Sequence, residues 1–279
     1  MPTSTAVANA LIPWTGLVAR ARIAPRLGLV ALTLGLVMVA ARPPQLPAQT
    51  APTTGEDVVQ AMHDRYVKQW YHTLTFRQKT TRRTPADTMA IEYWSEIGKF
   101  PGYLRIDIPR PTGAIAAIYG PDSMYVVSGD STIRRAADRN ILLIIGFDVY
   151  TQPVDRTLAV LHAEHYPTTK VREDRWEGRP VYVIGAAAGD LRSNQLWIDK
   201  ERLVFVRGFA PAPSDSTKTD EFRFDNYLPA GHGWLSETVE IYTNGKLIQR
   251  EQYSDVHTDG KVDPHIFAAP AKTAAAVTH

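Results

Sequence analysis

The chain contains no cysteine among its 279 residues. That excludes disulfides, thiolate metal sites, a cysteine nucleophile and a lipid-modified N-terminal cysteine. It has no acidic residue before Glu56, no H-E-x-x-H pair and no G-x-S-x-G elbow. The segment GAAAGD, residues 185–190, lacks the strand–turn–helix setting of a phosphate loop and reads as a strand end. No repeat of ~20–50 residues stands out, which argues against a propeller or solenoid. Strand–helix–strand alternation is missing too, so a doubly wound parallel sheet is not expected. A strong charge of one sign is also lacking. The formal net charge is +2, but four of the 31 basic residues, Arg20, Arg22, Arg26 and Arg42, precede residue 48. The remainder carries 27 basic against 29 acidic residues. A near-neutral domain has no electrostatic footprint of a nucleic-acid binder, and no nucleic-acid partner is expected.

What is present begins with a leader. Arg20, Arg22 and Arg26 precede the apolar run Leu27 to Ala41. Those 15 residues fall short of the ~20 that span a bilayer as a helix, but they suit a signal-peptide core. The Pro-rich stretch RPPQLPAQTAP follows, with Ala48 as the expected cleavage point. The expected organisation is therefore signal peptide and leader over 1–48, one domain over 49–270, and a mobile tail over 271–279. An uncleaved N-terminal anchor, held by its arginines, is the alternative. If the leader is cut, membrane contact is transient at most, and the expected location is the periplasm.

Hydrophobic residues at 44% and charged residues at 22% are ordinary for a globular protein. Val58, Val59, Met62, Tyr66 and Trp70 form one stripe of an amphipathic helix after Gly55, with Thr54 as N-cap and Glu56 and Asp57 in the first turn. Period-2 patterning then takes over in LTFRQKTTRR, TMAIEYWSEI, YLRIDI, AIAAIYG, SMYVVSG and STIRRA, joined by turns. Residues 141–166 read as mainly helical, divided by Gly146 and Pro153 and packed over the sheet. Strands resume as a hairpin at Glu177-Gly178, then QLWID with LVFVRGF, EFRFDNY, WLSETVEIYT and KLIQREQYSDV, the last two joined by the turn signal Asn244-Gly245. The prediction is a mainly β, α+β domain. A strongly curved antiparallel sheet of about 10–11 strands forms an unclosed half-barrel, with the N-terminal helix and a helical insertion over its mouth.

This order of elements resembles the LolA/LolB-type lipoprotein carriers of the bacterial envelope. The resemblance runs from about Gly55 to Phe267 and is carried by YWSEI, KFPGYLRIDIP, YGPDSMYVV, RPVYVIGAAA, QLWIDKERLVFVRGF and DEFRFDNYLP. It implies an unclosed barrel with helices across its mouth. It also implies a carrier or binding protein for lipoproteins or other acylated ligands, with no enzymatic step and no cofactor. Carriers of this family place an arginine before the proline of the KFPGYL-like turn, where it helps hold the lid shut. Here Phe100 stands before Pro101, after Lys99, so the implication broadens to acylated or apolar ligands at large. A related envelope-stress sensor domain shares the architecture, so a regulatory scaffold binding an envelope protein partner is the alternative.

The candidate ligand-binding trough consists of Ile91, Tyr93, Leu104, Ile106, Ile108, Leu196, Ile198, Phe222, Phe224, Val239 and Ile241. Burying an acyl chain against them would gain ~0.8 kcal/mol per methylene. The same alternation would equally describe a filled core under the helices. His162 and His165 form H-x-x-H, a spacing that could share one helix face, and read as exposed helix histidines, with no metal expected. Ser131 in GDST reads as a turn residue. Arg82-Arg83 with Arg134-Arg135 form a candidate headgroup patch against a default of solvated surface. No nucleophile–base set emerges for a hydrolase.

Overall fold

The computed structural model describes residues 51–111, 113–212, 215–270 and 272–273. The expected leader, 1–48, lies outside the described residues, as do 271 and 274–279 of the expected tail.

Thr54 starts the first helix, α1 (Gly55–Tyr66), through a capping box. Its hydroxyl accepts from the Asp57 amide, and the Asp57 carboxylate takes the Thr54 amide in return. The buried stripe is Val58, Val59, Met62 and Tyr66. The helix stops at Tyr66, short of Trp70, the last residue of the expected stripe. Trp70 is nonetheless buried, because the turn after Tyr66 lays its indole on Tyr150 with ring centroids 3.8 Å apart.

Among the described residues, thirteen antiparallel strands follow, in two meanders. The first comprises β1 (Thr73–Arg83), β2 (Met89–Lys99), β3 (Tyr103–Ile108), β4 (Ile115–Gly120), β5 (Ser123–Ser128) and β6 (Ser131–Ala136). The second comprises β7 (Val171–Trp176), β8 (Arg179–Ile184), β9 (Gln195–Asp199), β10 (Phe205–Ala212), β11 (Asp215–Ala230), β12 (Gly233–Thr243) and β13 (Lys246–Thr258). Pairing of β1 with β13 fuses the meanders into one sheet. A two-residue strand, β14 (Lys272–Thr273), adds in parallel to β6. The sheet does not close, so the fold class is the curved half-barrel expected from the alternation.

Between the meanders lie α2 (Ile141–Gly146), a 3-10 turn at Asp148–Tyr150, and α3 (Val154–Ala163). The breaks fall at Gly146 and Pro153, where a glycine and a proline weaken continuous helix. Asn140 caps α2, its side-chain oxygen accepting from the amides of Leu142 (3.0 Å) and Leu143 (3.3 Å). α1 packs on α3, on the 3-10 turn and on β8, so this half of the concavity is filled. Ile184, Leu196, Ile198 and Phe205 share the face beneath the helices and are buried.

Candidate functional site

Over the other half of the concavity lie α2 and its flanking residues, and there the packing leaves a void. The cavity measures about 120 Å³, many times the ~10–15 Å³ that one water needs. Its floor comes from β1 to β4 and β11 to β13, and its roof from Asn140, Leu142, Leu143 and Phe147.

Six of the eleven candidate residues line it: Leu104, Ile106, Ile108, Phe224, Val239 and Ile241. Cross-strand registry brings them together, since Phe224 lies opposite Val239, and Phe222 opposite Ile241. Phe222 is half-buried and packs against the main core without lining the cavity. Leu196 and Ile198 belong to the filled half beneath the helices. Ile91 and Tyr93 are not with the others. They lie on the convex face of the sheet, 56% and 67% exposed. On β2 the opposite set points inward, so Trp94 and Glu96 line the cavity in their place. The β2–β3 registry accounts for this. Ile106 pairs with Glu96, and directly opposed residues share a face.

The residues that sequence patterning missed are the aromatic and polar ones: Phe76, Trp94, Glu96, Phe100, Tyr119 and Tyr253. A signal for Glu96 was present in the hairpin through Phe100-Pro101-Gly102. Pairing counted outward from that turn, with Lys99 opposite Tyr103, puts Glu96 beside Ile106.

The polar groups divide into two clusters. At one end Glu92 accepts from Arg82 (2.5 Å), from Arg110 (3.3 Å) and from the Trp94 indole (3.0 Å). Burial opposes ionisation of Glu92, but the Arg82 bond and its companions prevail and hold its carboxyl below the usual range. Glu96 lies four residues further along β2, ~13 Å away at ~3.3 Å per residue. Burial there, reinforced by the charge of Glu251, pushes its carboxyl well above the ordinary value. Burial also raises Glu251, against the bonds it accepts from Tyr253 (2.7 Å) and Gln249 (2.5 Å). Tyr119, facing the same space, is pushed up to about 12, chiefly by burial.

A latch joins the roof to the β2–β3 turn. Phe100 stacks on Phe147 with centroids 4.9 Å apart and planes 12° from parallel. The Gly102 amide donates to the Asp148 carboxylate at 2.9 Å. Gly102 has φ +99°, a conformation that side chains with a Cβ rarely adopt. Burial raises Asp148 to about 7, only partly offset by that backbone bond. An aromatic stack and a carboxylate thus occupy the place where the resemblance implies an arginine.

The remaining candidates fall elsewhere. His162 Nε2 lies 2.6 Å from the Thr168 hydroxyl, whereas His165 sits beyond the end of α3 with a positive φ. Among the described residues no group of three or more His, Asp or Glu side chains is placed to hold a metal. Arg82 faces the cavity and Arg83 pairs with Asp87, while Arg135 stacks over Tyr125 at 4.8 Å. Ser131 opens β6 at a turn. Among the described residues no helix is long and apolar enough to cross a membrane.

No protein-family model matches the chain, and no curated protein matches it in sequence. Solved structures do match in fold. A DUF1329 family protein from Desulfovibrio piger superposes with a TM-score of 0.53 at 13% identity, over 77% of this chain and 95% of that one. A LolA superfamily protein from Nitrosomonas europaea gives a TM-score of 0.51 at 11% identity, over 78% and 98%. A putative outer membrane lipoprotein-sorting protein domain from Vibrio parahaemolyticus gives 0.53 at 12%, over 76% and 95%. The chain therefore has a LolA-like fold.

Proposed function

Starting from that fold, we propose that the protein is a periplasmic carrier or binding protein for lipoproteins or other acylated or lipid ligands. It acts by sequestration, without catalysis, and takes the acyl portion into the cavity beneath α2. The observation that carries the reading is the void itself. A half-barrel whose helices filled the whole concavity would have no room for cargo, whereas here one half is packed and the other is open and mainly apolar in its lining. Each methylene moved from water into such a lining gains ~0.8 kcal/mol, so a chain of ordinary length is held firmly but reversibly. Release requires the roof to lift, and the roof is held by a few contacts: the Phe100–Phe147 stack, the Asp148–Gly102 bond and the seat of α2 on Phe224. The LolA-like fold is consistent with this role, and the expected leader would deliver the chain to the compartment where such cargo travels.

The test is native mass spectrometry of protein purified from the periplasm, followed by lipid extraction of the same sample. A bound mass that fragments to acyl chains is the expected result. Replacing Ile106, half-buried in the cavity wall, by Glu should abolish lipid retention in a protein that keeps its circular dichroism spectrum. Full retention in that folded variant would remove the cavity from the mechanism. A mass that stays apo after incubation with lipids and lipopeptides would favour the scaffold alternative. Met89, Ile91 and Tyr93, exposed together on β2, would then offer the apolar contact for a protein partner.

A further inference from the structure

The floor of the cavity holds more hydrogen-bond acceptors than donors. Glu96 is 5% exposed and lines the void, yet among the described residues none donates a hydrogen bond to it. Apart from the Tyr119 hydroxyl, the neighbouring side-chain donors are already committed. Tyr253 and Gln249 donate to Glu251, and the Gln78 amide nitrogen donates to Thr80 at 2.8 Å. Two buried acceptors remain unpaired, the side-chain oxygens of Gln78 and Gln249, against one buried donor of the lining, Arg82 Nε. Gln78 lies opposite Trp94 and Tyr253, and Gln249 opposite Arg82 and Ile241. All four of those partners line the cavity, so both amides belong to its face of the sheet. The basic side chains lining the void are Arg82 and Arg110, and Glu92 engages both at the far end.

A ligand that is apolar throughout would leave these acceptors dry, which costs free energy. An anionic group would meet two carboxyls. A protonated amine supplies both missing quantities, three donors and one positive charge. We propose that the floor around Glu96 and Glu251 is a subsite for a protonated primary amine, and that the ligand is a cationic amphiphile with its aliphatic chain against Leu104, Ile106 and Leu143. Burial and the Glu251 charge oppose ionisation of Glu96 in the empty cavity, and an arriving ammonium favours the ionised form. This rests on the reading of the cavity as an acyl-binding site and specifies the cargo.

Binding of dodecylamine, dodecanol and dodecanoate to the protein purified from cells producing the full chain, each by titration calorimetry, tests it. The three probes share one chain and differ in head group. Dodecylamine should bind about tenfold or more tightly than dodecanol, as a charge-assisted hydrogen bond exceeds a neutral one. Glu96→Gln, and independently Glu251→Gln, should reduce that preference about tenfold while changing dodecanol affinity by less than about threefold. Equal binding of amine and alcohol, or a preference for dodecanoate, overturns the amine subsite and leaves the acyl cavity standing. An amine preference that survives in both folded variants also overturns it. Failure of all three probes to bind overturns the cavity reading and this inference with it.

Discussion

Asp148 carries a proton-linked part of the stability. Its carboxyl rises from 3.8 in the ordinary state to about 7 when folded, because burial disfavours the charge. The native state therefore binds the proton more tightly than the unfolded chain does. The stabilisation from this group is fully present below pH ~4 and is lost as the pH rises through about 7. The full swing is on the order of 4 kcal/mol. Asp148→Asn keeps an oxygen for the Gly102 amide and removes the titration. Urea unfolding across pH 4 to 8 should show wild-type stability falling relative to the variant over that window, with the two curves diverging toward neutral pH. Parallel curves would mean that the carboxylate is solvated when the lid is in place. Asp225, also pushed up, to about 6, chiefly by burial, adds a slope of the same sign, which is why the difference between the two proteins is the informative quantity.

At the scale of the element, α2 is six residues long and would not persist alone. It exists because Asn140 caps it and because Leu143, Ile144 and Ile145 are buried. Gly146 sits against Phe224 of the sheet. A Cβ built there would lie 2.8 Å from a ring atom of Phe224. That ring atom is at the end of a side chain bordering the void, so Gly146→Ala should leave the fold intact and turn the ring into the cavity. The expected readout is a loss of bound acyl ligand in native mass spectrometry, about tenfold in affinity, with little change in unfolding midpoint. Undiminished retention would show that α2 moves outward to admit the methyl group. The same element explains why the histidine pair leads nowhere. α3 ends at Ala163, so His165 falls in a turn and does not share a helix face with His162.

The whole molecule is one open sheet, and an open sheet has edges that must not pair with other chains. One edge is β6, partly covered by Lys272–Thr273. The other is β7, whose sequence VREDRW sets four charged residues in a row. Among them Glu173 pairs with Lys200 and Arg172 with Asp174, so the edge is both solvated and locally neutral. Replacing Glu173 and Arg175 by Val should convert it into an adhesive strand. Sedimentation velocity should then show concentration-dependent association that is absent in the wild-type protein, and a monomer at all concentrations would mean that strand twist alone protects the edge.

Fold class was legible because it follows from local chemistry. Thr54 and Asp57 mark a helix start wherever they occur in that spacing, alternation marks strands, and Gly146 and Pro153 interrupt helix without reference to anything distant. The apolar lining was legible in part, because β3, β11 and β12 have one plainly apolar face. On β2 both faces carry large side chains, Ile91 and Tyr93 on one and Trp94 and Glu96 on the other, and hydrophobicity selected the solvent-exposed set. A one-residue difference in register exchanges the faces of a strand, and only pairing to β1 and β3 decides it. Leu196 and Phe224 have equally apolar strands around them, yet one lies under packed helices and the other borders a void. That distinction was left to the tertiary structure, since alternation records which side chains leave water, whereas emptiness depends on where helices from elsewhere in the chain come to rest.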